Sequence, residues 1–128
     1  MSSLRLLILE DEAIIAMMLA DMAEELGAMV VACVGTVEAA LAAAHIGDVD
    51  AALLDVNLGN GTSGTSVADY LLGAGVPFAF VTGYGPTEKT ARYNAPILPK
   101  PFTEQALQQV LIGLSDRSSH KTPYLDVR

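Results

Sequence analysis

"LRLLILEDEAIIAMMLADMAEELG", residues 4–27, places two patterns side by side. Leu4 to Leu9 is a nearly continuous apolar run that stops at three acids, Glu10, Asp11 and Glu12. A short run of this kind predicts a strand covered on both faces. The period then changes. Ile15, Met18, Leu19, Met22 and Leu26 recur on one stripe of a helix, and Gly27 closes it.

The alternation continues along the chain. "MVVACV" (29–34) predicts a second strand, and Thr36 caps an alanine-rich helix with Val37, Ala40, Leu41 and Ala44 on one face. "AALLD" (51–55) predicts a third strand, and Ser63 to Ala74 a weaker helix through Val67, Tyr70 and Leu71. "PFAFVT" (77–82) and "PIL" (96–98) predict two more strands. Thr103 caps a last helix with Leu107, Val110, Leu111 and Leu114 inward. Strands alternating with helices predict an α/β fold: a five-stranded parallel sheet with helices on both faces. Right-handed crossovers bring the carboxyl ends of the strands to one edge, where ligand sites of such sheets lie.

The bulk numbers agree with one domain and restrict its partners. The chain has 128 residues, 52% hydrophobic and 17% charged, with a net charge of −8. That composition is globular, and the negative charge argues against nucleic acid and against an anionic membrane surface. The folded domain is expected over residues 1–115, with a polar tail over 116–128. One cysteine, Cys33, excludes an intramolecular disulfide and reads as a small buried hydrophobe. The N-terminus lacks the pattern of a signal peptide, and no run approaches the roughly 18 apolar residues of a membrane span. A cytoplasmic setting is the expectation.

What collects at the sheet edge is chemical. Strand one ends in Glu10, Asp11 and Glu12, strand three in Asp55 and strand four in Thr82, and Lys100 follows strand five. Two carboxylates about 4 Å apart repel by about 4 kcal/mol at an effective dielectric near 20. Such a cluster therefore keeps a proton or holds a cation. Oxygen ligands suit a hard divalent ion such as Mg²⁺. Thr82 can donate to a phosphoryl oxygen and Lys100 can pair with another. The set has the parts for phosphoryl transfer onto a carboxylate. Glu12 reads as a first-turn residue of the next helix, where its charge favours the dipole. Gly59 and Gly61 read as a flexible turn, and His45 and His120 as isolated side chains.

Taken in order, "LILEDE", "AALLDVNL", "FVTGYG" and "LPKPF" resemble the receiver domain of two-component response regulators, from Leu4 to Leu114. The resemblance implies a doubly wound, flavodoxin-like sheet in order 2-1-3-4-5. It implies Asp55 as phospho-acceptor, Asp11 as a direct Mg²⁺ ligand with Glu10 helping through water, and the Asn57 carbonyl as a further ligand. Thr82 would move toward the phosphoryl group, Lys100 would bind it, and the Lys100–Pro101 bond would be cis. The implied partners are a histidine kinase or a histidine phosphotransferase, and a downstream protein. "PFAFVTGYG" is similar to the FATGUY subgroup, often stand-alone receivers of alphaproteobacteria that work with HWE-type kinases, although Val81 stands where that motif usually has Ala.

Three departures bear on how such a receiver would signal. Position 97 usually carries Tyr or Phe and here is Ile97, so Tyr84 and Tyr93 are the candidate replacements. The segment from Thr82 to Lys100 is short, and its glycines and Pro86 predict a short or mobile fourth helix around Glu88 to Tyr93. No effector domain follows, so output is expected by protein contact or by acting as a phosphate sink. Two other readings stand beside this one. A small aspartyl-phosphate phosphatase would use a strand-end Asp, but usually has a second Asp two residues on, where Asn57 stands. A degenerate receiver would bind a partner without phosphorylation, against the intact set of acids, Thr82 and Lys100.

Overall fold

The structure is a computed structural model that describes residues 3–59, 63–85 and 87–119. Five strands and five helices alternate: β1 (Arg5–Leu9), α1 (Ala13–Glu25), β2 (Met29–Val34), α2 (Val37–Ile46), β3 (Ala51–Asp55), α3 (Thr65–Ala74), β4 (Phe78–Thr82), α4 (Glu88–Ala91), β5 (Ile97–Pro99) and α5 (Glu104–Ser119). The strands form one parallel sheet in the order β2-β1-β3-β4-β5. This is the doubly wound arrangement expected from the resemblance.

The continuous apolar runs follow from coverage of both faces. Side chains alternate across a strand, so Leu6, Ile8, Leu53 and Val81 pack with Leu19, Leu107 and Leu114 on one side. Leu7, Leu9, Leu54 and Phe80 pack with Ala40, Val67 and Leu71 on the other. Leu53 and Leu54 are fully buried on opposite faces of β3. At ~1.5–3 kcal/mol each for complete burial, they hold the end of β3, and so Asp55, firmly in place. Thr36 and Thr103 cap their helices as expected, accepting from Ala39 N at 3.1 Å and Ala106 N at 3.0 Å.

Several expectations are corrected by the packing. In α1 the buried residues are Ala16, Leu19 and Ala23, whereas Met18 is 52% exposed. Small side chains let this helix lie close to the sheet, and the longer Met18 is turned to the flank. In α3, Ala68 is buried beside Val67 and Leu71, and Tyr70 turns outward. Cys33 is exposed, not buried, because β2 is an edge strand. Partial burial, and then the Glu10 charge, raises its thiol above the ordinary value, which disfavours a reactive thiolate. The fourth helix is indeed short, a single turn, held at its start by Thr90 Oγ1 accepting from Thr87 N at 3.0 Å. Helix α5 runs on to Ser119, past the boundary expected at 115. The rest of the tail lies outside the described residues, as do Gly61, Pro86 and His120.

Candidate functional site

The carboxyl ends of β1, β3 and β4 and the residue after β5 meet at one edge. Each acid stands there because an apolar strand ends beneath it. Glu10 and Asp55 are each 3% exposed, and Thr82 is equally buried. The Lys100 ammonium bridges the two acids, 2.8 Å from Glu10 Oε1 and 3.4 Å from Asp55 Oδ2. The Asn57 N–H donates to Asp55 Oδ1 at 3.1 Å, and the Glu12 N–H to Glu10 Oε2 at 3.0 Å. These donors fix the orientation of both carboxylates. Glu12 itself is the exposed N-cap of α1 and makes no side-chain capping bond.

The electrostatics are those of a crowded acid pair with one cation. Burial, and after it the Glu10 charge, pushes the Asp55 carboxyl up to about 6 from an ordinary 3.8. Lys100 and the Asn57 N–H pull it down without winning. Burial works against the Lys100 ammonium, yet the hydrogen bond to Glu10 and the Asp55 charge leave it above its usual value. Glu10 Oε1 is buried and faces the Lys100 ammonium at 2.8 Å, so Lys100 is its counter-charge.

Asp11 is exposed and turned toward the loop after β3, where its Oδ2 accepts from Gly59 N at 2.5 Å. Carboxylate oxygens of Glu10, Asp11 and Asp55 nevertheless lie within 4.8 Å of one another. Octahedral Mg²⁺ with bonds of ~2.1 Å sets adjacent ligand oxygens roughly 3 Å apart and opposite ones roughly 4 Å apart. The trio offers three carboxylate oxygens that can close on a small hard divalent cation.

Two glycines carry more than a reading of turns could assign. A Cβ on Gly59 would lie 2.7 Å from Asp11 Oδ2, so a side chain there would push the exposed Asp11 carboxylate aside. Gly64, whose N–H donates to Val56 O at 3.2 Å, sits against the backbone of Asp55, where a Cβ would stand 2.3 Å from the Asp55 carbonyl oxygen. The one sequence signal was a glycine before a helix that lacks a capping side chain.

On the β4 side, Thr82 Oγ1 accepts from Tyr84 N at 3.1 Å and keeps its own proton to donate elsewhere. A cleft of about 540 Å³ opens there, lined by Asn57, Thr82, Tyr84, Thr87 and Lys89 among others. Tyr84 is 78% exposed, Ile97 is half-buried, and Tyr93 is buried. The expected residues Glu10, Asp11, Asp55, Asn57, Thr82 and Lys100 thus form one constellation.

Comparison with known proteins agrees with this geometry. The response regulator receiver domain family matches residues 6–112. SdrG from Sphingomonas melonis Fr1 is 43% identical over 90% of this chain and 99% of its own, with a TM-score of 0.79. SdrG from Pseudomonas melonis Fr1 in its BeF3-activated conformation is 44% identical over 89% of this chain and 98% of its own, with a TM-score of 0.74. The response regulator PhyR from Brucella abortus is 27% identical over 98% of this chain, with a TM-score of 0.80. The chain spans 54% of that PhyR, about half its length. No curated protein sequence matches. Among the described residues no helix is long and apolar enough to cross a membrane.

Proposed function

The chain belongs to the response regulator receiver domain family, and from that premise we propose that it accepts a phosphoryl group on Asp55 from a histidine kinase or histidine phosphotransferase, in a reaction that requires Mg²⁺. The observation that carries this reading is the buried Asp55 carboxyl at the end of β3, flanked by Glu10, Asp11 and Lys100. The BeF3-activated conformation of SdrG, 44% identical, supports it.

The chemistry follows from the contacts. With its carboxyl held near 6, Asp55 is mostly ionised at neutral pH and is competent as a nucleophile. A carboxylate oxygen attacks phosphorus in line as the bond from phosphorus to the donor's imidazole nitrogen breaks, and the imidazole leaves with a proton. The Asn57 N–H steadies Asp55 Oδ1, which keeps the attacking group aligned. Lys100, 3.4 Å from Asp55 Oδ2, is placed to pair with a phosphoryl oxygen. The Thr82 hydroxyl donates to another. Glu10, Asp11, Asp55 and the Asn57 carbonyl would hold Mg²⁺, which supplies charge neutralisation for the incoming phosphoryl oxygens.

The acyl phosphate adds about −1.5 to −2 charges at this edge. Output is then by protein contact or by withdrawal of phosphoryl groups from a kinase. The anti-anti-sigma activity of PhyR from Bartonella quintana belongs to a chain about twice as long, of which this one covers 50%. The phosphatase reading loses its general acid, because Asn57 stands in that place and gives its N–H to Asp55. Incubation with acetyl phosphate and Mg²⁺, read by intact mass, tests the assignment. The gain of one phosphoryl group should vanish in Asp55→Asn and on chelation of Mg²⁺. A gain that persists in Asp55→Asn would refute it.

A further inference from the structure

Position 97 lacks the aromatic of the family, and Ile97 packs into the α2–α3 side of the core. Another aromatic is built into the same face four residues earlier. Tyr93, 8% exposed, stands beyond α4 on the segment that begins at Thr82. Its ring meets Phe78 and Phe80 edge-on, with centroids 5.9 and 5.4 Å away. Its hydroxyl lies 2.6 Å from Asp69 Oδ1 and 3.2 Å from the Thr65 carbonyl, and so is tied to α3. Arg92 donates to the same hydroxyl and reaches Asp69 Oδ1 at 3.3 Å, which holds Asp69 in place.

Two routes leave Asp55, and both arrive at this tyrosine. One runs through Gly64, pressed against the Asp55 carbonyl, to Thr65 at the start of α3. The other crosses from β3 to β4, where Asp55 pairs with Val81, and follows Thr82 into α4 and Tyr93. Phe78 and Phe80 are fixed in β4. A shift of the chain behind Thr82 therefore cannot carry Tyr93 past them without pulling on Asp69 and Thr65.

We infer that Tyr93 is the positioning residue that couples the state of Asp55 to α3, in the role the aromatic at position 97 would have filled. The inference rests on the reading of Asp55 as the phospho-acceptor. When Thr82 is drawn toward a phosphoryl group, the segment behind it moves, and Tyr93 delivers that movement to α3 through Asp69 and Thr65. The outward residues of α3, Tyr70 and Leu72, then present a changed surface. The coupling is carried by a contiguous set of packed rings and hydrogen bonds, which makes it open to direct test.

The test is amide NMR of the full chain with and without beryllofluoride and Mg²⁺, on wild type and Tyr93→Phe. The variant keeps the ring and its contacts with Phe78 and Phe80 and removes the hydroxyl. In wild type, shifts are expected near Asp55, Thr82 and the Gly64–Thr65 contact, and also in α3 along Asp69 to Leu72. In Tyr93→Phe the first set should persist and the α3 set should be lost. Asp69→Ala should give the same loss by removing the acceptor, and serves if Tyr93→Phe folds poorly. Wild-type α3 shifts in either folded variant would overturn the inference, even with a lowered melting temperature. If wild type shows no shifts near Asp55, the phospho-acceptor reading itself fails and the inference falls with it.

Discussion

Replacing Asp55 by Asn should stabilise the protein, by an amount that depends on pH. The Asp55 carboxyl is 3% exposed and is held up to about 6, through burial first and the Glu10 charge second. The folded chain thus prefers Asp55 protonated, while the unfolded chain ionises it near the ordinary 3.8. For a raised carboxyl, the favourable contribution is present below about 3.8 and is lost as pH rises through about 6. Two pKa units or a little more, at ~1.36 kcal/mol per unit, give a cost of about 2–3 kcal/mol by about pH 8. Asn has nearly the same shape and no charge to titrate. The stability of Asp55→Asn relative to wild type should therefore grow by about 2–3 kcal/mol from about pH 4 to about pH 8. For a domain of this size that is a relative change of roughly 6–12 °C in melting temperature. Urea unfolding followed by circular dichroism, at several pH values and in the presence of a chelator, measures it. Added Mg²⁺ should then stabilise wild type more than the variant, because a bound cation offsets the repulsion. A stability gap that stays flat with pH would refute this account of the site. A variant that is the weaker protein at about pH 8 would show that the Lys100 pair outweighs burial.

Other outcomes follow from the same contacts. Lys100→Met strips Glu10 and Asp55 of their ammonium and should cost about 3–5 kcal/mol near neutral pH. That loss should shrink as acid protonates Asp55 below about 6, which the same urea titrations will show. Gly64→Ala puts a Cβ against the Asp55 carbonyl; it should destabilise by about 1–3 kcal/mol and slow phosphorylation by acetyl phosphate more than an alanine placed at exposed Gly73. Leu54→Ala empties a fully buried site under Asp55 and should cost about 2–5 kcal/mol in chemical denaturation. Thr82→Ala removes the acceptor for Tyr84 N and the hydroxyl proposed to donate a hydrogen bond to a phosphoryl oxygen, so the rate of phosphorylation should fall while the mass gain at Asp55 is kept.

Much of the fold was legible because burial on both faces imposes a local rule. β2 and β3 occupy the stretches read from "MVVACV" and "AALLD", and Thr36 and Thr103 cap where short-range hydrogen bonding demands. The orientation of α1 and α3 was less legible. Met18 and Tyr70 fit an apolar stripe as well as Ala16 and Ala68 do, and the closeness of helix to sheet decides which side is buried. Cys33 is exposed against expectation because an apolar run looks the same on an edge strand as on a central one.

The candidate site divides in the same way. The residues at the sheet edge are legible in the amino-acid order, because Glu10, Asp11, Asp55, Thr82 and Lys100 each end or follow an apolar strand, and a parallel sheet brings such ends together. The contacts made across the chain come from packing in three dimensions. Lys100 bridges Glu10 and Asp55, Gly59 holds Asp11, Gly64 leans on Asp55, and Tyr93 reaches Asp69 and Thr65. Those pairs are separated by many residues and follow no periodicity. They depend on distances of a few ångströms that packing alone sets.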